Sequence, residues 1–261
     1  MGQEIENSCQ YTAASDVGCV RELNEDSVFA KPGLWIVADG MGGHACGEVA
    51  SALAIEQIVE HYEKNESLDN AIQSAHARIT EAGKSNNAQS GMGTTVIAMI
   101  CDSEHYQIGW VGDSRAYLWD PKSLKLSQIS EDHSLMVRLI HAGLISEQDA
   151  QTHPQRHMIT QCLGSTEIEQ VKVDTLQADW EAGQQILLCS DGLTDEATDK
   201  MIEQIMATHL SVEEKSAALI KTAKQSGGRD NISVIIIESP KQKQHSFIDK
   251  IKSLFSGNYS A

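Results

Sequence analysis

The segment from Leu34 to Ser51 places a strong constraint on how this chain can fold. It reads LWIVADGMGGHACGEVAS, so an apolar run of strand length ends at Asp39, and four glycines follow within eight positions. Apolar residues at spacings of three and four then predict a helix. A single Asp-Gly after a strand is usually only a turn, so the meaning of this one depends on whether the pattern recurs.

Carboxylates recur beside other apolar runs. Asp113 and Asp191 each follow such a run. Asp230 precedes one after a Gly-Gly pair, and Glu25 and Asp26 precede a short one. Each of these alone is most simply a turn or a cap. Antiparallel strands, however, bring the end of one strand and the start of its neighbour to the same edge of a sheet, so we expect these carboxylates to converge.

The order of the predicted elements favours antiparallel sheets with helices. Between about 93 and 129 several strands follow one another with no helix between them, which favours antiparallel pairing. Helical patterns occupy 47–85 and 199–226, and helix starts are predicted at Ser67, Asp132, Ser146 and, as a capping box with Glu214, at Ser211. The predicted strands are 34–38, 95–100, 107–111, 116–119, 186–189 and 232–237.

Converged carboxylates need a counter-charge, because otherwise some of them must stay protonated. Oxygen ligands select hard cations, Mg²⁺ or Mn²⁺, over zinc or copper. We therefore interpret Asp39 as a bridge between metal ions. On this interpretation Gly40 allows a sharp turn, presents its carbonyl beside Asp39 and leaves room for the metal or its substrate.

Composition narrows the class of protein. The chain has 261 residues, enough for one large or two small domains. Its formal net charge of −17 argues against nucleic acid and anionic lipid as general partners, because like charges repel. Six cysteines without CxxC spacing predict reduced, buried thiols and a cytoplasmic location. Neither a signal peptide nor a transmembrane segment is visible.

Seven stretches, in order along about residues 8–239, resemble the metal-dependent protein phosphatases of the protein phosphatase 2C family, in its compact bacterial form. The resemblance implies an α+β fold in which a sandwich of two antiparallel sheets is flanked by helices on both sides (α-β-β-α), with a metal cleft at one edge. It implies a catalytic domain over 1–239. The stretches are SDVGCVRELNED, VADGMGGHACGEVAS, GMGTTV, GWVGDSRAYLW, SEDHS, LLCSDGLTD and GGRDNISVIII.

The resemblance also implies the metal ligands. Asp39 matches the ligand that bridges two ions, with the Gly40 carbonyl on one of them and Asp191 and Asp230 on the other. A third ion, often bound in bacterial members, would take Asp113 with Asp191. Glu25 and Asp26 match acidic residues that hold metal-bound water, with Asp26 counted among the metal residues. Two core Mn²⁺ or Mg²⁺ ions and a third are therefore expected, and a hydroxide bridging two ions would attack phosphorus directly.

Arg21 is a candidate for binding the substrate phosphate and a member of the expected catalytic set with Asp39, Asp191 and Asp230. A guanidinium can grip a phosphate through two hydrogen bonds. The simpler interpretation is a surface arginine paired with Glu22 or Glu25. Within the stretch VRELNED we favour phosphate binding.

The general acid is less clear from the sequence. Animal members of the family carry a histidine directly after the bridging Asp-Gly, where this chain has Met41. His44 lies three positions further on and is expected beside the metals, as are Glu25 and Asn231. Whether His44 protonates the leaving group stays open, with metal-bound water as the rival donor. His133, His153 and His157 have no special claim.

Two segments lie outside the catalytic motifs. Residues 142–165 occupy the place of the flap found in the family. Residues 240–261 carry four lysines and one aspartate and show one apolar stripe at helical spacing. This basic tail either packs back onto the acidic domain or docks on a partner.

The predicted partners are phosphorylated proteins, the products of a Ser/Thr kinase, and the chain is expected to act as a monomer. The predicted reaction is hydrolysis of phosphoserine and phosphothreonine. The main alternative is a pseudophosphatase, an adaptor that binds phosphoproteins without cleaving them, and the retained Asp39, Asp191 and Asp230 argue against it. A nucleotide-binding loop in DGMGGHACGE is disfavoured, because neither GxGxxG nor GxxxxGK[ST] spacing is present.

Overall fold

The apolar runs of the sequence form the centres of two antiparallel sheets. The structure is a computed structural model that describes residues 9–42, 46–85 and 91–241. Within these ranges the strands are β1 (Tyr11–Asp16), β2 (Asp26–Lys31), β3 (Leu34–Met41), β4 (Gly93–Thr94), β5 (Val96–Cys101), β6 (His105–Val111), β7 (Arg115–Asp120), β8 (Lys125–Gln128), β9 (Asp174–Asp179), β10 (Gln185–Cys189) and β11 (Ile232–Glu238). The helices are α1 (Cys46–Glu63), α2 (Leu68–Ser85), α3 (Leu135–His141), α4 (Glu147–Thr152), α5 (Asp191–Thr194), α6 (Asp199–Met206) and α7 (Val212–Ser226).

The strands pair in an order that differs from their order along the chain. One sheet has the order β1-β11-β10-β7-β8 and the other the order β2-β3-β5-β6-β9, with β4 paired to β3. Every described pairing between strands is antiparallel. The antiparallel arrangement predicted from the helix-free run of strands is therefore confirmed.

Apolar side chains fill three layers, which explains the sandwich. The inner faces of the two sheets meet through side chains such as Trp35 and Ile97 on one sheet and Ile235 on the other. Helices α1 and α2 cover the outer face of the sheet that contains β3. Helices α5, α6 and α7 cover the outer face of the sheet that contains β10. The predicted α-β-β-α architecture is thus confirmed, and the mainly apolar β11 is covered on both faces.

Helix caps follow the sequence with one exception. Ser211 and Glu214 form the predicted capping box of α7, and Ser146 caps α4 in the same way. Asp132 was predicted to cap α3, but the cap is Ser134, two residues later. Asp132 instead accepts hydrogen bonds from the guanidinium of Arg115 at 2.7 to 3.0 Å, because β7 brings that charge beside it.

Surface and terminal features complete the fold. No disulfide links the six cysteines, all of which lie in the described ranges, but Cys19 is exposed, so the prediction that the thiols are buried is wrong at this position. In the described ranges no helix is both long and apolar enough to cross a membrane. His44 and residues 242–261 lie outside the described residues.

The core of α7 offers a test of the packing. Leu219 is fully buried against the outer face of the first sheet, whereas Leu210, just before the helix, is 41% exposed. Leu219→Ala should lower the free energy of unfolding by about 2–5 kcal/mol, because it leaves a cavity. Leu210→Ala, measured beside it in urea unfolding, should stay within about 0.5 kcal/mol of the unmodified chain. Equal losses for the two variants would contradict the assignment of this face to the core.

Candidate metal centre

Strand pairing brings the predicted carboxylates to one edge of the sandwich. Asp26 and Asp39 are directly opposite each other in the β2–β3 ladder. Asp191 follows β10 and Asp230 precedes β11, and these two strands run antiparallel side by side. Asp113 lies in the connection from β6 to β7. The convergence expected from the sequence is therefore present in the fold.

A cleft of about 360 Å³ opens between these elements. Of the predicted site residues, Asp26 and Asn231 are not among those that line it. The lining residues are Arg21, Glu25, Asp39, Gly40, Met41, Gly42, Thr95, Asp113, His157, Ile159, Asp191 and Asp230.

The backbone of Asp39 is held by two buried threonines. Asp39 N–H donates to Thr95 Oγ1 at 3.3 Å, and the Asp39 carbonyl accepts from Thr95 N–H and from Thr94 Oγ1, each at 2.8 Å. Thr95 Oγ1 also hydrogen-bonds to Ser114 Oγ at 2.7 Å. Hydroxyl groups thus fix the strand end that carries Asp39 without adding charge to the cleft.

The hydroxyl group of Ser190 holds the side chain of Asp26, which does not line the cleft. The buried Ser190 donates from its Oγ to Asp26 Oδ2 at 2.8 Å. Ser190 Oγ in turn accepts from Ser233 N–H at 3.0 Å. This chain ties the first residue of β2, in one sheet, to β11 in the other.

Asn231 fixes the loop that carries Arg21 and Glu25. Its Oδ1 accepts from Glu25 N–H at 2.8 Å, and its Nδ2 donates to the carbonyls of Val17 and Leu23 at 3.1 and 2.9 Å. All three side-chain bonds go to backbone groups, so the amide acts as a clamp. The placement of Asn231 beside the metals stays a prediction. The hydrogen bonds from Asn231 to the loop that carries Arg21 and Glu25 support it.

Glu25 links the same loop to α1. Its Oε1 accepts from Gly47 N–H at 3.2 Å, near the start of the helix, and its carbonyl accepts from Gly40 N–H at 3.2 Å. A carboxylate near a helix N-terminus is favourable, because the free N–H groups there carry partial positive charge.

The backbone around Gly40 has no room for a side chain. The residue lies inside β3, paired with Thr94, so the prediction of a sharp turn at this position is wrong. A Cβ at this position would lie 2.1 Å from the carbonyl oxygen of Gly47 and 2.4 Å from that of Glu25. Glycine therefore lets the start of α1 and the Glu25 loop pack against the strand, and its role in leaving room for a metal or a substrate stays a prediction.

Arg21 is a half-exposed residue of the cleft wall. Its Nη2 donates to Asp230 Oδ2 at 2.8 Å, and Nη1 lies 3.8 Å from Glu25 Oε2. The side chain is 47% exposed, so part of the guanidinium remains open to solvent. Its main partner is Asp230 rather than Glu22 or Glu25.

The electrostatics of the cleft are dominated by crowded acids. Burial, followed by repulsion from Asp26, Asp191 and Asp113, raises the pKa of Asp39 well above its usual range. Burial and the charges of Asp113, Asp195 and Asp230 act in the same direction on the pKa of Asp191.

These properties fit a site for divalent cations. Burial raises the pKa of both Asp26 and Asp113 to about 6, so four acids resist ionisation in the absence of a counter-charge. In the described ranges no group of three or more His, Cys, Asp or Glu side chains is placed closely enough to hold a metal ion. Mg²⁺-like ions usually keep several waters and use only one or two carboxylates each, so an open cleft lined by oxygen donors suits them.

Several residues of the site escaped the sequence analysis. Thr95 and Ser190 support Asp39 and Asp26, yet the only signal was their position beside strand-end motifs. His157 lines the cleft, with its Nδ1 3.0 Å from Asp195 Oδ2, although no pattern set it apart from the other histidines.

Comparison with known proteins gives consistent matches. The profile described as Protein phosphatase 2C matches residues 21–226. The serine/threonine phosphatase stp of Listeria welshimeri is 36% identical over 240 residues, which cover 86% of this chain and 93% of that protein. The crystal structure of the Mycobacterium tuberculosis serine/threonine phosphatase PstP/Ppp has a TM-score of 0.81 at 34% identity and covers 88% of this chain and 98% of that one.

A second structure bears on the cleft. The catalytic domain of the serine threonine protein phosphatase PstP, in complex with 2 manganese ions, has a TM-score of 0.78 at 34% identity, with 88% of this chain and 98% of that chain covered. The match of the profile over most of the chain, together with the shared sandwich, shows that this chain belongs to the protein phosphatase 2C family.

Proposed function

We propose that the chain is a metal-dependent protein phosphatase that hydrolyses phosphoserine and phosphothreonine on proteins. The observation that carries this proposal is the convergence of Asp39, Asp113, Asp191 and Asp230 on one cleft that also contains Arg21. The named phosphatases among its relatives favour catalysis over the pseudophosphatase alternative.

The carboxylates are proposed as the metal ligands. Asp39 with the Gly40 carbonyl, Asp191 and Asp230 would hold two Mn²⁺ or Mg²⁺ ions, and Asp113 with Asp191 would hold a third. Such ions supply an activated water and offset negative charge on the phosphoryl oxygens. Asp26, buried behind Asp39 and held by Ser190, would keep the acidic wall in place.

Arg21 is proposed to bind the phosphate of the substrate. Its contact with Asp230 places the guanidinium at the acidic cluster, and its exposed part can donate to phosphate oxygens. Asn231 clamps the loop on both sides of Arg21, so less conformational freedom has to be lost on binding.

We also propose the domain bounds, the location, the oligomeric state and the partners that the sequence predicts. The catalytic domain would span 1–239, with 142–165 as a flap. The enzyme would act as a cytoplasmic monomer on products of a Ser/Thr kinase, and residues 240–261 would either pack back onto the acidic domain or dock on a partner.

Metal removal tests the reaction. Dialysis against EDTA should abolish hydrolysis of p-nitrophenyl phosphate and of phosphothreonine peptides, and Mn²⁺ or Mg²⁺ should restore both. Full activity in excess EDTA would contradict the proposal.

The effect of metal binding on thermal stability should depend on pH. The raised pKa of Asp26 and Asp113 means that the folded, metal-free chain binds protons more tightly than the unfolded chain. The free energy of unfolding of the metal-free chain should therefore fall as the pH rises from about 4 to about 6. Mn²⁺ should therefore raise the Tm more at about pH 7.5 than at about pH 5. An equal rise at both pH values would argue against binding at these acids.

Substitution of the proposed bridging ligand separates catalysis from folding. Asp39→Asn should lower kcat by more than roughly a hundredfold, because one charge is lost from the proposed metal pair. The metal-free variant should be more stable than the metal-free parent in thermal unfolding at about pH 7.5, because a crowded acid is removed. A variant that retains more than about a tenth of the kcat would exclude the bridging role.

Arg21→Ala should lower kcat/KM for phosphopeptides roughly 10- to 100-fold, because charged hydrogen bonds to the phosphate are lost. Mn²⁺ affinity, measured by calorimetry, should stay close to that of the parent. Arg78→Ala, an exposed arginine on α2, is the matched control and should have no effect. An unchanged kcat/KM for Arg21→Ala would make Arg21 a surface residue.

A further inference from the structure

Two cysteines far apart in sequence meet at one end of the sandwich. The sulfur atoms of Cys9 and Cys101 are 3.4 Å apart, although 92 positions separate the residues. Cys9 lies just before β1 and is buried among the side chains between the two sheets, and Cys101 ends β5 and packs against the same layer. The pair therefore bridges the two halves of the fold.

This pair lies at the opposite end of the sandwich from the metal cleft. Cys101 follows Ile100, which pairs with Leu34 at the start of β3, whereas Asp39 is near the end of that strand. Likewise, Tyr11 at the start of β1 pairs with Ile237, at the other end of β11 from Asp230. The two cysteines thus have no part in the proposed phosphatase reaction.

The surroundings of the pair divide it into a nucleophile and a resolving thiol. The hydrogen bond from Cys9 lowers the pKa of the Cys101 thiol, and Trp180 acts in the same direction, while burial and Asp102 oppose it. The same hydrogen bond, with burial, raises the pKa of Cys9. The indole N–H of Trp180 is buried and has no hydrogen-bond partner among the described residues, so it is available to stabilise a thiolate at Cys101.

Cys101 is also within reach of small oxidants. It lines a surface pocket of about 520 Å³, together with residues such as Tyr62 and His105, whereas Cys9 is buried behind it. An oxidant would therefore meet the sulfur of Cys101 first, and the sulfur of Cys9 is the neighbouring thiol that can react next.

We propose that Cys9 and Cys101 are a redox-active pair that forms an intramolecular disulfide when the folded chain meets a hydroperoxide. The Cys101 thiolate attacks one oxygen of hydrogen peroxide, the O–O bond breaks, hydroxide leaves, and Cys101 becomes a sulfenic acid. Cys9 then loses its proton and attacks the Cys101 sulfur, and the S–O bond breaks as water leaves. Two thiols and one peroxide give one disulfide and two waters.

The disulfide would tie an edge strand to the other sheet. β1 is at the edge of its sheet and pairs only with β11 among the described strands. A bond from the start of β1 to the end of β5 closes a long loop and limits the unfolded chain, which stabilises the fold. The proposed consequence is a phosphatase that resists unfolding under oxidising conditions.

The test uses the full chain, reduced, freed of reductant and treated with a small excess of hydrogen peroxide. After quenching, alkylation and digestion without reductant, mass spectrometry should find a peptide pair that joins Cys9 to Cys101 and is lighter by two hydrogen atoms. The Tm of the oxidised chain should exceed that of the reduced chain by at least about 5 °C. Cys19→Ser, which removes an exposed thiol, is the matched control and should behave like the parent in both measurements.

Two variants separate the roles of the sulfur atoms. Cys9→Ser should give no linked peptide and no rise in Tm, and dimedone should trap a sulfenic acid at Cys101. Cys101→Ser should give neither the linked peptide nor a dimedone adduct at Cys9. Full alkylation of both cysteines in the oxidised parent, or a linked peptide with no change in Tm, would overturn the proposal.

Discussion

Repulsion among carboxylates that share one cleft is the constraint on which the rest of the structure depends. Asp39 faces Asp26 across a strand pair and is also repelled by the charge of Asp191, and the surrounding protein excludes the water that would screen these charges. Such a cluster tends to push its members apart. The two sheets hold the cluster together. They are fixed by one apolar layer between them and by one apolar layer under the helices on each outer face.

The groups that support the acids are mostly neutral. Thr95, Ser190 and Asn231 satisfy buried backbone and carboxylate groups by hydrogen bonds that carry no net positive charge. Among the described residues that line the cleft, Arg21 and His157 are the ones that can carry positive charge, and each is paired with an acid. Hence the protein fixes the carboxylates in place but leaves most of their charge to be balanced by cations. The uncompensated repulsion lowers the stability of the metal-free fold, and this loss serves function.

The two ends of the sandwich have different chemistry for a physical reason. At one end, strand termini expose oxygen donors to an open cleft. At the other end, the layer between the sheets consists of apolar and aromatic side chains, and the sulfur atoms of Cys9 and Cys101 come into contact there. The intervening apolar layer lets thiol chemistry and phosphate chemistry occupy one small domain without sharing any side chain.

The sequence alone determined the element types and the main acids. A run of strands with no helix between them favours antiparallel sheets, and carboxylates recurring at strand ends require a counter-charge, so antiparallel pairing and the acidic edge could be predicted from local patterns. The resemblance to the family added the two-sheet sandwich and the expected role of each acid.

Only the tertiary structure decided how these acids are held. Glu25 and Asn231 are 206 positions apart, and no local pattern shows that one clamps the other. The sharp turn predicted at Gly40 is absent, and the backbone atoms that exclude a side chain there come from Gly47 and from the Glu25 loop, which no local pattern shows. Asp132 was misassigned as a helix cap because its partner, Arg115, lies on another strand. Local sequence sets propensity and charge, whereas the register between strands sets which groups meet, and that register is fixed by the packing of the whole chain.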